Sequence, residues 1–318
     1  MKPAKINLAF IPTPVMKIRF SEKEFLIKRD DLTGLELSGN KVRKLEYLIC
    51  KALQEKADYI FTSGGEQSNH ARATVIAASR AGIKTKLFLW GNDSLNADGN
   101  LFIDKLFGTE ILFLTKEENK KVNEIMEAEK KNLSKKRNKV FIIPEGGSTP
   151  LGIWGYISFV EELKSQIDLK NLDGITVAAG SGGTAAGILT GLSLNNINLK
   201  IYCVNVIYKE NVIRDKILTL AQQCINEYKL NCRLKENNLI ILDGYSREGY
   251  KNITEDKIQL IKDFARSSGI ILDPAYTGKA FKAYYDNFLQ KNLGNKNLFL
   301  HTGGLFGVFA KRKKYLKS

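Results

Sequence analysis

Short apolar runs alternate with amphipathic stretches along most of this chain, and run after run ends in glycine. Tyr59-Ile60-Phe61-Thr62 stops at Ser63-Gly64-Gly65. Val140-Phe141-Ile142-Ile143 stops at Pro144-Glu145-Gly146-Gly147-Ser148. The run 174–179 stops at Gly180-Ser181-Gly182-Gly183-Thr184, and Leu298-Phe299-Leu300 at His301-Thr302-Gly303-Gly304. Apolar runs of this length, bounded by turn residues, read as buried strands, as do 86–90, 111–114 and 199–204; residues 7–29 carry two short apolar runs, Leu8-Ala9-Phe10 and Phe25-Leu26-Ile27. The segments between them have helical periodicity. Residues 68–81 place Ala71, Thr74, Val75 and Ala78 on one side, 117–136 turn Val122, Ile125 and Leu133 inward, and 211–228 carry Ile213, Ile217, Leu220 and Cys224 on one stripe. Further helices are expected at 99–107, 153–167, 185–194, 255–267 and from 279 to about 290. A β-α-β-α rhythm demands parallel strands with helices on the sheet faces, so the fold class is α/β.

Composition narrows the function. With 318 residues, 43% of them hydrophobic, the chain can bury two cores or one large one. No apolar run is long enough to span a bilayer, and the first residues lack the apolar core of a signal peptide, so the expectation is a soluble cytoplasmic protein without membrane contact. Four cysteines without a C-x-x-C pair are no disulfide framework, and two histidines cannot build a His-rich metal site. The net charge of +15 is spread through the whole chain, densest at 130–139 and in a tail at 311–317, which argues against a nucleic-acid face and suits anionic small ligands.

The chemistry is expected in five glycine- or hydroxyl-rich turns, at 38–41, 63–70, 145–149, 180–187 and 301–304. Four follow a strand directly, and ligands of open α/β sheets bind beyond the carboxyl ends of strands. The remaining one, Ser38-Gly39-Asn40, delivers Lys41 to the start of a helix whose Val42, Leu45, Leu48 and Ile49 share a face. Helix-start N–H groups, Arg43 and Lys44 all lower the pKa of an amine placed there, as a nucleophilic lysine requires. A solvated surface lysine is the plain alternative. The loop 180–187 offers clustered backbone N–H groups to an anion. Gly180, Gly182 and Ala185 also satisfy a dinucleotide fingerprint, but that motif wants an acid after the next strand, and the residue there is near Asn205. One phosphate of a mononucleotide-like cofactor fits better; a turn that only packs helix on strand is the structural alternative. At 67–69, Gln67, Ser68 and Asn69 open a helix with donors suited to a carboxylate, or simply cap it.

Three stretches taken together, Ser38-Gly39-Asn40-Lys41-Val42-Arg43-Lys44-Leu45-Glu46-Tyr47, Gly65-Glu66-Gln67-Ser68-Asn69-His70-Ala71-Arg72 and Asp273-Pro274-Ala275-Tyr276-Thr277-Gly278-Lys279, resemble the D-cysteine desulfhydrase and 1-aminocyclopropane-1-carboxylate (ACC) deaminase family. These are pyridoxal 5'-phosphate (PLP) enzymes of the tryptophan-synthase-β type, and the likeness runs in order from about Ile11 to Phe309. It implies two domains, each an open, mostly parallel sheet with helices on both faces: a large one of 1–51 and 154–318, a small one of 52–153, PLP in the cleft between them, and a homodimer. It implies that Lys41 carries the cofactor, that Lys44 with Ser181, Gly182, Gly183 and Thr184 holds its phosphate, and that Asn69 meets the ring hydroxyl. Gln67, Ser68 and Asn69 then hold the substrate, and Lys41, Ser68, Tyr250 and Tyr276 are the catalytic set.

Two positions separate the branches. Tyr276-Thr277 and His301-Thr302-Gly303-Gly304 match the desulfhydrases, whereas ACC deaminases usually carry Tyr-Glu and His-Leu-Gly-Gly there. The resemblance therefore implies the Thr302 hydroxyl at the pyridine nitrogen, with Thr277 lining the same end of the ring. The expected reaction is β-elimination from D-cysteine to pyruvate, ammonia and hydrogen sulfide. L-cysteate, a D-serine-like compound or ACC are alternative substrates; a dinucleotide-dependent oxidoreductase and a non-catalytic binding protein are readings from other classes. Glu66, Thr149, Lys251-Asn252 and Leu305-Phe306 depart from the family pattern around the substrate.

Overall fold

The computed structural model describes residues 2–207 and 210–316. The chain opens with a hairpin, β1 (Val15–Phe20) and β2 (Lys23–Arg29), turned through Ser21 and Glu22, both at positive φ as a two-residue hairpin turn requires. Helix α1 (Asn40–Gln54) leads into an alternating run of β3 (Tyr59–Gly65), α2 (Asn69–Arg80), β4 (Lys84–Trp90), α3 (Gly99–Leu106) and β5 (Glu110–Leu114). Two helices, α4 (Lys116–Asn119) and α5 (Val122–Lys135), precede β6 (Val140–Ile143). The alternation resumes with α6 (Trp154–Gln166), β7 (Gly174–Ala179), α7 (Gly183–Leu194), β8 (Lys200–Asn205), α8 (Glu210–Glu227) and β9 (Leu239–Leu242). It ends with α9 (Glu255–Ser268), α10 (Thr277–Tyr284), β10 (Asn297–His301), α11 (Leu305–Phe309) and α12 (Arg312–Leu316).

The strands form two sheets, one of six in the order β1-β2-β10-β7-β8-β9 and one of four in the order β5-β4-β3-β6, with β1–β2 the antiparallel pair. Side chains alternate between faces along a strand, so the six-stranded sheet carries a core on each side. In β10, Leu298 and Leu300 join the aliphatic core beneath α6, α7 and α8, while Phe299 points into an aromatic core with Phe25, Phe264, Phe281 and Tyr284. The four-stranded sheet packs α1 and α2 against Ile60 and Ile143 on one side.

Several local expectations are corrected. The single helix expected at 117–136 begins at Lys116, where Thr115 and Glu118 close a capping box, and is interrupted by a turn at Lys120 and Lys121 before α5 begins. Ahead of the hairpin, the short apolar run Leu8-Ala9-Phe10 forms no regular element, and the N–H groups of Leu8 and Ala9 donate to Glu46 Oε1 at 3.0 and 3.1 Å. Residues 312–316 of the expected tail are helical, and Lys317 lies outside the described residues.

A buried ionic network fixes α1 on the large sheet. The Arg43 guanidinium grips Asp30 through Nε and Nη2, both at 2.8 Å, and Glu162 of α6 through Nη1 and Nη2 at 2.7 and 2.9 Å. Lys28 adds a bond to Glu162 Oε1 at 2.6 Å, and the Tyr156 hydroxyl donates to Asp30 Oδ2 at 2.6 Å. Burial works to raise the pKa of Glu162, but Arg43 and then Lys28 outweigh it and hold the carboxyl down to about 2. Its contribution to stability is therefore complete above its unfolded value of 4.5 and lost as pH falls toward 2. Glu162→Ala, which strands Arg43 with half its partners, is expected to cost about 3–5 kcal/mol. Urea unfolding across pH should show that loss at neutrality and a shallower decline in acid than in the parent protein.

Candidate active site

The carboxyl ends of both sheets and the first turns of α1, α2 and α7 converge on one cleft. The placement of α1 follows from two glycines set back to back. Gly39 (φ +91) and Gly303 (φ +92) occupy left-handed backbone, and a Cβ on Gly303 would lie 2.7 Å from the Gly39 Cα. The Asn40 N–H closes the contact by donating to Thr302 O at 3.0 Å. Lys41 and Thr302 thus come to line one cavity although 261 positions separate them in sequence (302 − 41). Lys41 has its pKa lowered to about 8 because burial disfavours the ammonium, while the carboxylate of Glu145 pulls the other way.

The phosphate end is built on α7. Gly182, in left-handed backbone, starts the helix, and no side chain caps its first turn, so the N–H groups of 183–185 remain available to an anion. Asn40 Nδ2 donates to Thr184 Oγ1 at 2.9 Å, tying the starts of α1 and α7 together. Lys44, 1% exposed, donates to Gly146 O and Ser148 Oγ at 3.0 and 3.2 Å, and Ser148 bonds Ser181 at 2.8 Å. Both of those Lys44 partners are uncharged. Burial, reinforced by the charge of Lys41, pushes the Lys44 pKa far down. A Cβ on Gly183 would sit 2.3 Å from Ser148 Oγ and 2.6 Å from Lys44 Nζ, so glycine keeps this cradle open. A buried amine without a counter-charge, whose charged form an anion would restore, beside uncapped helix N–H groups is what a phosphate dianion completes, and PLP fits.

At the start of α2, Ser68 Oγ accepts from the Ala71 N–H at 3.2 Å, so the capping alternative is real, and Ser68 lines the cleft as well. Asn69 lines it too; its Oδ1 accepts from Asn100 Nδ2 at 3.0 Å, which turns its amide nitrogen the other way. Gln67 differs: its amide spans Asp98 O and the Asn100 N–H, each at 2.9 Å, and bounds a second chamber rather than the cleft.

Tyr276 closes the large-sheet side, its hydroxyl donating to Tyr250 at 3.1 Å. Burial raises both phenols, Tyr250 to about 12 and Tyr276 further, so both keep their protons at neutral pH. Thr277 departs from expectation. It is fully buried, and its hydroxyl donates to Asp273 Oδ1 at 2.7 Å while accepting from the Asp273 N–H at 2.7 Å, so it shapes the turn instead of lining the cleft. Sequence reasoning missed Glu145. It follows β6 and opens into the cleft, and nothing local in the sequence shows which way its side chain points.

Residues 6–303 match the family model described as pyridoxal-phosphate dependent enzyme. The chain belongs to the pyridoxal-phosphate-dependent enzymes. Its relatives place it more narrowly, with the ACC deaminases and D-cysteine desulfhydrases. A Thermotoga maritima protein, provisionally named a 1-aminocyclopropane-1-carboxylate deaminase, is 42% identical over 98% of this chain and 99% of its own. The mitochondrial bifunctional D-cysteine desulfhydrase/1-aminocyclopropane-1-carboxylate deaminase of Arabidopsis thaliana is 36% identical over 96% of this chain and 79% of its own. A crystal structure described as an ACC deaminase homologue superposes with a TM-score of 0.90 at 35% identity, covering 99% of this chain and 96% of that one.

Two outcomes follow. Gly183→Val should purify folded by circular dichroism yet carry little or no PLP, read from its visible absorbance; full occupancy would refute the cradle. Glu145→Gln removes the charge that favours protonated Lys41. The pH at which apoprotein reacts with added PLP at half its limiting rate should fall from near 8 to a lower value.

Proposed function

We propose that this chain is a lyase that breaks D-cysteine down to pyruvate, ammonia and hydrogen sulfide by β-elimination. The observation that carries this reading is Thr302 in the wall of the cleft, at the end of β10, where a ring edge would rest. A hydroxyl there cannot hold a proton on a pyridine nitrogen as a carboxylate would. Asp273, the nearest acid in that turn, spends its oxygens on the N–H groups of Ala275, Tyr276 and Thr277 and on the Thr277 hydroxyl.

Bound PLP, held by Lys41, Lys44, Asn69 and the 181–184 cradle, supplies the electron sink for the bond broken at Cα. The N–H groups opening α2, with Ser68 and Asn69, orient the substrate carboxylate. Lys41, with a pKa near the working pH, takes the proton from Cα. Cβ–S cleavage then expels a thiolate, and the protonated Tyr276–Tyr250 pair supplies a proton that makes it hydrogen sulfide. Water hydrolyses the remaining imine to pyruvate and ammonia. We place this chemistry between a larger lobe, 1–51 and 154–318, and a smaller one, 52–153, in a homodimer. The exposed Phe10 and Leu35, 72% and 77% accessible, support a further interface.

ACC ring opening is the second reading, favoured by the names of the relatives above. A panel of D-cysteine, L-cysteate, D-serine and ACC, with pyruvate, 2-oxobutyrate and sulfide read separately, decides. Pyruvate and sulfide from D-cysteine should dominate, and Lys41→Ala should lose about 10²–10⁴-fold or more of that rate. ACC opening at a comparable rate would overturn the preference for D-cysteine.

A further inference from the structure

Glu66 and Lys251, both departures from the family pattern, meet over the second chamber, which adjoins the cleft at Asn69. Glu66 follows β3 on the small sheet. Its Oε2 accepts from the Asn92 N–H at 3.0 Å, and its Oε1 faces Lys251 Nζ at 3.1 Å. The same ammonium lies 4.0 Å from the ring centroid of Trp90, the last residue of β4. Lys251 belongs to the opposite side, on the loop between β9 and α9, next to Tyr250. That loop is tied to the large sheet by Lys279 Nζ to Gly249 O at 2.8 Å and by Lys257 to Glu248 at 2.7 Å. That chamber shares Asn69 with the cofactor cleft, and its lining includes Gln67, Tyr250 and Lys251.

We propose that Glu66, Trp90 and Lys251 form a latch between the two sheets, which holds the Tyr250 loop over the cleft and governs substrate entry through this chamber. The inference rests on the cleft being the substrate site. An ion pair with side chains 40% and 28% exposed is weak alone and screened by salt. An ammonium over an indole adds a second hold in the same place. A contact of that strength closes and reopens readily, as a gate must. Lys251 acts here by positioning Tyr250 and not on reacting atoms.

The test uses the PLP-loaded protein with Lys251→Gln, Glu66→Gln and Lys251→Arg. The first readout needs no substrate: acrylamide quenching of tryptophan fluorescence. Trp154 is buried at 4%, so a change reports Trp90. Both Gln variants should be quenched more readily, and Lys251→Arg, which keeps charge and ring contact, should behave as the parent. With D-cysteine, or with ACC if that is the substrate, the Gln variants should raise KM about two- to tenfold with a smaller change in kcat. Added salt should raise the parent's KM toward theirs. Unchanged quenching in both Gln variants overturns the latch, as does a Lys251→Arg protein as defective as Lys251→Gln. If no substrate turns over, the proposed function fails while quenching still decides the latch.

Discussion

One turn of helix, 40–44, does two incompatible-looking things, and Arg43 is what lets it. In an α-helix, Lys41 and Lys44 lie three positions apart on one face, while Arg43 points some 200° round from Lys41. Arg43 is therefore free to sink between Asp30 and Glu162 while the lysines face the cleft. A buried guanidinium is tolerable when its donors are matched by carboxylates, and here two bind it as forks. That anchorage offsets the cost of presenting two lysines next door, Lys44 buried and Lys41 half-buried. Without it, the first turn of α1 would be free to swing its lysines into solvent.

Those lysines have no such matching. Glu145 approaches Lys41, and Lys44 has a carbonyl and a hydroxyl. Their pKa values are depressed for the same reason: the folded protein holds two amines where burial disfavours the charged form, ahead of an anionic ligand that would favour it. Preorganisation of this kind stores unfavourable free energy in the empty site and returns it on binding. Cofactor binding and stability are thereby linked, since any ligand that binds only the folded state stabilises it.

Most of this plan was legible in the sequence because parallel strands buried on both faces read as unbroken apolar runs. β6 and β7 have the expected limits for that reason. β1 and β9 were not expected. β1 is half exposed, so its pattern is mixed, and β9 is a short edge strand. The glycine turns of the site were legible because left-handed backbone and close approach leave few alternatives to glycine, as at Gly39, Gly182 and Gly303. Side-chain direction was less so. Gln67, Thr277 and Glu145 sit in correctly read turns, yet the first two spend their polar groups on neighbouring backbone and Asp273, and the third turns into the cleft. Those outcomes depend on partners distant in sequence, Asp98 and Asn100 for Gln67, which no local pattern encodes.

The distribution of charge within the cleft bears on the chemistry. Cations gather where α1 and α7 begin, the carboxylate of Glu145 balances the Lys41 side, and the Thr302 end is neutral. Asp273 cannot supply the missing acid there, since four donors already saturate its oxygens. Were a pyridine ring to rest with its nitrogen there, a neutral end would weaken the sink for charge developing at Cα, and a substrate would have to carry part of the driving force itself. A thiolate leaving from Cβ does so; an unactivated carbon–carbon bond relies on ring strain instead. Under the function proposed above, such a site would admit both reactions and favour elimination. On that reading, a carboxylate at position 302, at the end of β10 in the cleft wall, would reverse the preference by holding a proton on the ring nitrogen.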